Sequence, residues 1–168
     1  IFNLDKKIVL DIGCSFGEFV IHFGIGSTGI IIIKDEAEYG KNKGLDVRCG
    51  NIESDDFVLE KKYDVIFANN LFEHLYSPHH FLYKIKKYLK PNGILILGVP
   101  CIPKIVSLLH INKFRGSLAV AHINFFTRDT LIKTAERGGW KPITTRGFHF
   151  SNKIIDTSKT TYDIISKY

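Results

Sequence analysis

The sequence predicts a single α/β domain with a doubly wound, mostly parallel sheet, and three observations predict it. Apolar runs alternate with helix-like segments along the whole chain, the signature of βα units laid on one sheet. The runs are short and rich in isoleucine and valine, as suits strands buried on both faces. A chain of 168 residues with 45% hydrophobic side chains can bury one sizeable core without disulfides or a structural metal.

Residues 8–12 read as a first buried strand and 18–23 as a brief helix. Gly24, Gly26 and Gly29 break the chain before a second strand at 30–33, whose four isoleucines suit a central position. A helix at 35–43 is stopped by Gly44, and strands follow at 45–48 and 63–68. Phe81, Leu82, Ile85, Tyr88 and Leu89 fall at spacings of three and four, so 78–89 is an amphipathic helix with Pro78 in its first turn. Lys84, Lys86, Lys87 and Lys90 cover its other side, and Pro91, Asn92 and Gly93 turn out of it. A fifth buried strand spans 94–99. Thr127 opens a helix over 127–137 with Asp129 in its first turn, and a sixth strand at 140–145 follows Gly138 and Gly139.

Charged residues at 24% and aromatics at 12% exclude a disordered or collagen-like chain, and no apolar run approaches the roughly 20 residues of a membrane span. The net charge of +6 and pI near 9.2 favour an acidic partner but are equally met by solvated lysines. Cys14, Cys49 and Cys101 form no C-x-x-C pair, so neither a disulfide framework nor a zinc ribbon is expected and a cytoplasmic setting fits. No secretory leader is legible at the start. Methionine is absent. The helix at 35–43 offers only Ala37 and Tyr39 as apolar residues, two apart. One more between Ala37 and Glu38 would repair the stripe, so a missing methionine there is the expectation.

The most informative stretch is VLDIGCSFGE at 9–18, a strand running into a glycine-bearing loop and then a helix. Ligands of open α/β sheets collect at such a strand end, where the strand order reverses. A dinucleotide fingerprint needs glycines at 13, 15 and 18, and Ser15 and Glu18 fail it. A P-loop needs a lysine near its end, and none occurs between 8 and 33. What the loop offers is Asp11, with Gly13 and Gly17 letting the backbone pass close to a ligand. That suits a cationic or amino-acid-bearing ligand.

VLDIGCSFGEF resembles motif I of the class I S-adenosylmethionine-dependent methyltransferases. Gly50-Asn51-Ile52 resembles that family's adenine-contacting turn. YDVIFANNLFEHL and YLKPNGILILGVP resemble the fourth strand, "EHL" segment and fifth strand of its small-molecule branch, and residues 122–127 with Leu131 and 138–140 resemble a later segment of that branch. The matches run in order over about residues 5–147. The resemblance implies a Rossmann-like, mostly parallel seven-stranded sheet in one domain over 1–168, with S-adenosylmethionine as cofactor. It also implies methyl transfer to an O or N atom of a small molecule. It places Asp11, Gly13, Cys14, Ser15, Gly17, Asn51, Ile52 and Asn69 at the cofactor. Two departures stand out: Ser15 replaces the middle glycine, and the second strand, which should end in a carboxylate for the ribose hydroxyls, is followed by Lys34. Asp35 and Glu36 are the candidates for that carboxylate. Asp35 is taken as the ligand, the alternative being a helix cap.

S-adenosylmethionine carries its own electrophile, so the protein need only align an acceptor and, for a hydroxyl, remove a proton. By the resemblance, Glu73 and His74 line the active site after the fourth strand. His122 is the histidine placed to reach the same cleft, where neutral imidazole can take a proton; a hydrogen-bonded scaffold role is the alternative. Asn70, Glu73, His74 and His122 also resemble the E-x-x-E-H plus His metal ligands of the small-RNA 2′-O-methyltransferases. Asn70 replaces the first carboxylate, which weakens a site for a hard cation, so no metal is expected. The insert at 100–121 reads as an apolar lid over the acceptor. Two rival functions stand beside this one. RNA methylation has the pI and the lysine face but lacks interleaved aromatics for base stacking. A non-catalytic binding protein on the same fold is motivated by Ser15 and the missing acid. No membrane partner is expected, and the oligomeric state is not legible.

Overall fold

The computed structural model describes residues 2–102, 121–149 and 160–167. Its strands are β1 (Val9–Ile12), β2 (Thr28–Ile31), β3 (Val47–Cys49), β4 (Tyr63–Asn69), β5 (Leu89–Pro100), β6 (Lys141–His149) and β7 (Thr160–Lys167). Among the described residues they lie in the order β3-β2-β1-β4-β5-β7-β6. The pairs from β3 through β5 are parallel, and β7 runs antiparallel to both β5 and β6. The order reverses between β1 and β4, so the carboxyl ends of these two strands flank the crevice where such sheets bind ligands.

Among the described residues three α-helices pack on the sheet: α1 (Lys34–Asn42), α2 (Pro78–Ile85) and α3 (Arg128–Arg137). Pro78 sits at the start of α2, where its missing N–H goes unmissed, and the Ser77 hydroxyl accepts from the His80 amide. Phe81, Leu82 and Ile85 are fully enclosed in the main core with Tyr63, Phe72, Tyr88 and Trp140, each contributing roughly 1.5–3 kcal/mol of burial. Trp140 donates its indole N–H to the Leu82 carbonyl at 3.0 Å, so the ring is buried with its polar atom satisfied. Thr127 caps α3 through a reciprocal pair with Thr130. Among the described residues no helix is long and apolar enough to cross a membrane.

Several expected boundaries move. The second strand is Thr28–Ile31, not 30–33. Gly29 lies inside it, where a Cβ would sit 2.6 Å from the Cys14 sulfur. Ile32 and Ile33 fall past the strand end and are exposed. The helix expected at 18–23 contracts to a single 3₁₀ turn, Val20–His22. The helix expected at 78–89 ends at Ile85 and tightens into a 3₁₀ turn, after which β5 starts at Leu89. Pro91, Asn92 and Gly93 thus lie within the span of β5, opposite a register irregularity in β4, and Asn92 takes the left-handed φ of 62°. The resemblance implies a seventh strand without locating it; it is β7. The proposed lid falls outside the described residues except at its ends.

The premise for a missing methionine also changes. α1 runs from Lys34 to Asn42 and turns Ala37 and Gly40, three apart, into the protein. Small residues are what that face requires: a Cβ on Gly40 would lie 2.7 Å from a Val47 methyl and 3.3 Å from the Phe16 carbonyl.

Most of the lysine face is spent on the protein itself. Lys84 bonds the Ser54 carbonyl and pairs with Asp55, Lys86 donates to the Gly139 carbonyl over the Trp140 ring, and Lys90 pairs with Asp64 at 2.9 Å. Lys84 and Lys90 are thus paired with carboxylates, whereas Lys86 meets a neutral carbonyl and an aromatic face and keeps its charge.

Gly40→Leu should lower the urea midpoint by the equivalent of about 1–3 kcal/mol, because neither Val47 nor the Phe16 backbone can yield the space. An unchanged midpoint in urea titration would show that α1 can slide off β3.

Candidate functional site

Asp11, near the carboxyl end of β1, is 2% exposed, and its Oδ2 has no hydrogen-bond partner. Burial, with a further push from the Glu18 charge, raises its carboxyl to about 7. The loop beyond it bends sharply: Gly13, Ser15 and Gly17 have φ of 82°, 48° and 91°. Ser15 thus holds a left-handed conformation that is uncommon for a residue with a side chain. The Gly13 and Cys14 amides both donate to the Ile30 carbonyl, fixing the loop to the end of β2. Cys14 itself points inward, packing with Val20, Ala37 and Val47. Burial first, and then the Asp11 charge, pushes its thiol up to about 12, so it stays protonated.

The remaining expected cofactor residues reach the same end of the sheet in different ways. Asn51, after β3, is exposed, and its side-chain oxygen accepts from the Glu53 amide at 2.9 Å, forming a local turn. Ile52 is in the main core, so its side chain, like that of Cys14, does not line an open cleft. Asn69 ends β4, paired with Gly98 of β5. Asp35 is exposed in the first turn of α1.

The structure brings Glu73, His74 and His122 together. Asn70, at a φ of 51°, turns the chain out of β4, and the short 3₁₀ helix Phe72–His74 follows. Phe72 anchors it, fully buried and stacked on Phe126 at 5.1 Å. The Glu73 carbonyl accepts from the Ile123 and Asn124 amides at 3.0 and 2.9 Å, and the Asn124 side chain donates to the Leu75 carbonyl at 2.6 Å. That clamp places the His122 ring 4.7 Å from the His74 ring. The Nε2 atoms of His74 and His122 are each 3.9 Å from the same Glu73 oxygen. His74 Nδ1 lies 2.9 Å from the Ala121 carbonyl; donation there leaves the Nε2 lone pair facing Glu73. Glu73 is 1% exposed and neither carboxylate oxygen has a hydrogen-bond partner. Burial raises its carboxyl above the usual range, against the pull of its own amide and of the two imidazoles.

The three ligand atoms lie within 4.8 Å of one another, a spacing that would accept a metal ion. Two imidazoles and one carboxylate suit a first-row transition ion better than magnesium or calcium, which prefer all-oxygen shells.

Sequence reasoning assigned no tethering role to two residues that hold this end together. Asn124 is one. Glu53 is the other: its carboxylate accepts from the Tyr76 and Ser77 amides at 3.2 and 3.0 Å, tying the Asn51 turn to the segment after His74. Both act on backbone groups, which leave no pattern in side-chain spacing.

Comparison with known proteins identifies the family of the chain. Residues 2–145 match the family described as a methyltransferase domain. The chain is similar to a ubiquinone biosynthesis O-methyltransferase of Rickettsia prowazekii, with 26% identity over 57% of this chain and 41% of that protein. It is also similar to an (S)-coclaurine N-methyltransferase of Papaver somniferum, with 27% identity over 58% of this chain and 30% of that one. The matches thus span less than half the length of these relatives. Among solved structures, a Thermotoga maritima protein described as a possible histamine N-methyltransferase superposes with a TM-score of 0.75 at 17% identity, covering 98% of this chain and 84% of its own. That likeness speaks for the fold.

The buried Asp11 gives a pH prediction. Its carboxyl titrates near 3.8 when unfolded and near 7 when folded, so the unfolded chain gives up this proton at lower pH than the native protein. Stability is therefore full below about pH 4, declines as pH rises to 7, and stays lowered above it, by up to about 4 kcal/mol. Asp11→Asn should melt like the parent near pH 4 and at a higher temperature at pH 8. Parallel melting curves across that range would refute the assignment.

Proposed function

The chain belongs to the class I S-adenosylmethionine-dependent methyltransferases, and on that premise we propose that it transfers a methyl group from S-adenosylmethionine to an oxygen or nitrogen of a small-molecule acceptor. One observation carries the reading: the Glu73, His74 and His122 cluster sits beyond β4, next to the strand whose end bears the unpartnered Asp11. One side of the crevice thus offers an anion for an ammonium group, and the other a pair of imidazoles.

The bound cofactor supplies an electrophilic methyl. Asp11 takes its amino-acid ammonium, an ion pair that would draw the carboxyl back down from 7 and release a proton on binding below that pH. The Gly13–Gly17 loop passes its backbone beneath the methionine portion, and the Asn51 turn borders the adenine. His122 accepts the proton of the attacking hydroxyl or amine. Glu73 stabilises the imidazolium that results, and the His74 ring closes the other side of the same carboxylate oxygen. The relatives described as acting on an O and on an N atom support a small-molecule acceptor for this chain without choosing between them. The pairing of Lys84 and Lys90 with carboxylates reduces the charge that face offers to RNA.

A second reading of the same cluster follows from its spacing: the three groups hold a divalent ion that acidifies the acceptor hydroxyl. Dialysis against a chelator separates the two. Activity unaffected by chelation supports His122 as the base, whereas loss with recovery on added zinc or manganese supports the ion.

Calorimetry with S-adenosylmethionine tests the function first; the absence of binding would leave a non-catalytic member of the fold. Methyl transfer to a panel of phenols and amines, set against transfer to RNA at rising salt, tests the acceptor class. In the metal-independent case, His122→Ala should slow turnover by about 10²–10⁴-fold while the cofactor Kd stays within about twofold. A Kd that weakens in step with turnover would make His122 a scaffold residue.

A further inference from the structure

The outer side of α2 carries a cavity that the methyl transfer does not use. His80, Tyr83, Lys84 and Lys87 recur at spacings of three and four, so they fall along one side of the helix and of the 3₁₀ turn that ends it. With Lys86, and with Asp55 from the loop after the Asn51 turn, they line a hollow of about 530 Å³, a size that suits a small organic ligand.

The charges in this hollow do not balance. Lys84, Lys86 and Lys87 face the single carboxylate of Asp55, which leaves a surplus of two positive charges. That carboxylate is already engaged, 3.7 Å from the Lys84 ammonium and 3.9 Å from His80 Nε2. Lys84 is the buried cation, its side chain 7% exposed, and it also donates to the Ser54 carbonyl. Lys86 and Lys87 pair with no carboxylate among the described residues. Lys86, bonded to the neutral Gly139 carbonyl, lies 5.6 Å from the centre of the Trp140 ring, and Lys87 lies 5.0 Å from that of Tyr88. An aromatic face positions a cation without cancelling its charge, so both ammoniums remain open to an anion. Tyr83, 76% exposed, adds a ring on which a planar group can stack.

This chemistry selects a ligand class. A carboxylate brings one negative charge, whereas a phosphate monoester brings about −1.5 to −2 at neutral pH and three acceptor oxygens, which matches the surplus. Lysine ammoniums serve phosphate as point charges and need no forked geometry. We propose that the cavity on α2 is a second binding site, for a phosphate monoester bearing a planar aromatic group, with the phosphate held by Lys86 and Lys87 and the ring stacked on Tyr83. None of its lining residues belongs to the crevice at β1 and β4, so the inference does not rest on the methyltransferase reading.

Calorimetry on the full chain tests it, with guanosine 5′-monophosphate, guanosine and inorganic phosphate as probes. The parent should bind the nucleotide more tightly than inorganic phosphate by roughly tenfold, the worth of one stacked base, and guanosine least well. Lys87→Gln and Lys86→Gln should each weaken the nucleotide by roughly tenfold to 100-fold. Lys87 is exposed, so its variant keeps the fold. Tyr83→Ala should erase the preference for the nucleotide over inorganic phosphate. Lys43→Gln, which removes the same charge from the end of α1, should stay within about twofold of the parent, and saturating S-adenosylhomocysteine should leave the nucleotide Kd unchanged. Absence of nucleotide binding by the folded parent would overturn the proposal, as would equal weakening in Lys43→Gln, which points to diffuse charge. Displacement of the nucleotide by S-adenosylhomocysteine would assign it to the crevice instead. A 5′-phosphorylated RNA oligonucleotide that binds far more tightly than the mononucleotide, with a steeper salt dependence, would make the face a polyanion surface and sink the small-ligand site.

Discussion

The functional end of this protein depends on one backbone carbonyl. The Glu73 oxygen receives two successive amides, those of Ile123 and Asn124, across some fifty residues of chain. Two hydrogen bonds of about 1 kcal/mol each would be a modest tether on a surface. Here they act beside the Phe72 and Phe126 stack, so the loop after β4 and the segment leading into α3 move as one piece. The distance between the two imidazoles is set by this backbone contact rather than by the imidazoles.

The cofactor side is held together differently. Asp11, Glu18 and Glu36 all bring negative charge to bear on Cys14, and among the described groups the Asp11 carboxyl gains no compensating hydrogen bond at Oδ2. The loop amides are satisfied within the chain, those of Gly13 and Cys14 by the Ile30 carbonyl and that of Gly17 by the Cys14 carbonyl, whereas the buried Asp11 oxygen is left unpaired among the described residues, at some cost in stability.

The sequence made some of this legible and hid the rest for physical reasons. The motif loop could be read because its bend requires glycines at 13 and 17, and α3 because Thr127 announces its cap. The register of β2 could not be read. Four consecutive isoleucines carry no internal mark of where pairing stops, and Gly29, which reads locally as a breaker, lies inside the strand, where a side chain would meet Cys14, fifteen residues away in sequence. The juxtaposition of His122 with Glu73 was suggested by resemblance alone, since nothing local to either residue specifies it. The tethering roles of Glu53 and Asn124 could not be read because their partners are main-chain atoms. The place of β7 could not be read either: it follows β6 in the chain, but it inserts between β6 and the much earlier β5 and runs antiparallel to both.

That last strand orders events in time. β6 touches the rest of the sheet only through β7, which lies between it and β5. While the chain emerges from a ribosome, β1 to β5 can pair as they appear, but β6 has no strand to bond until residues 160–167 have been made. During that interval the outer edge of β5 stands open over seven residues of its length, a hydrogen-bonding edge to which another chain can add. The right half of the sheet is thus assembled backwards, from the later strand to the earlier one, and its vulnerability to mispairing is concentrated in the delay between the two.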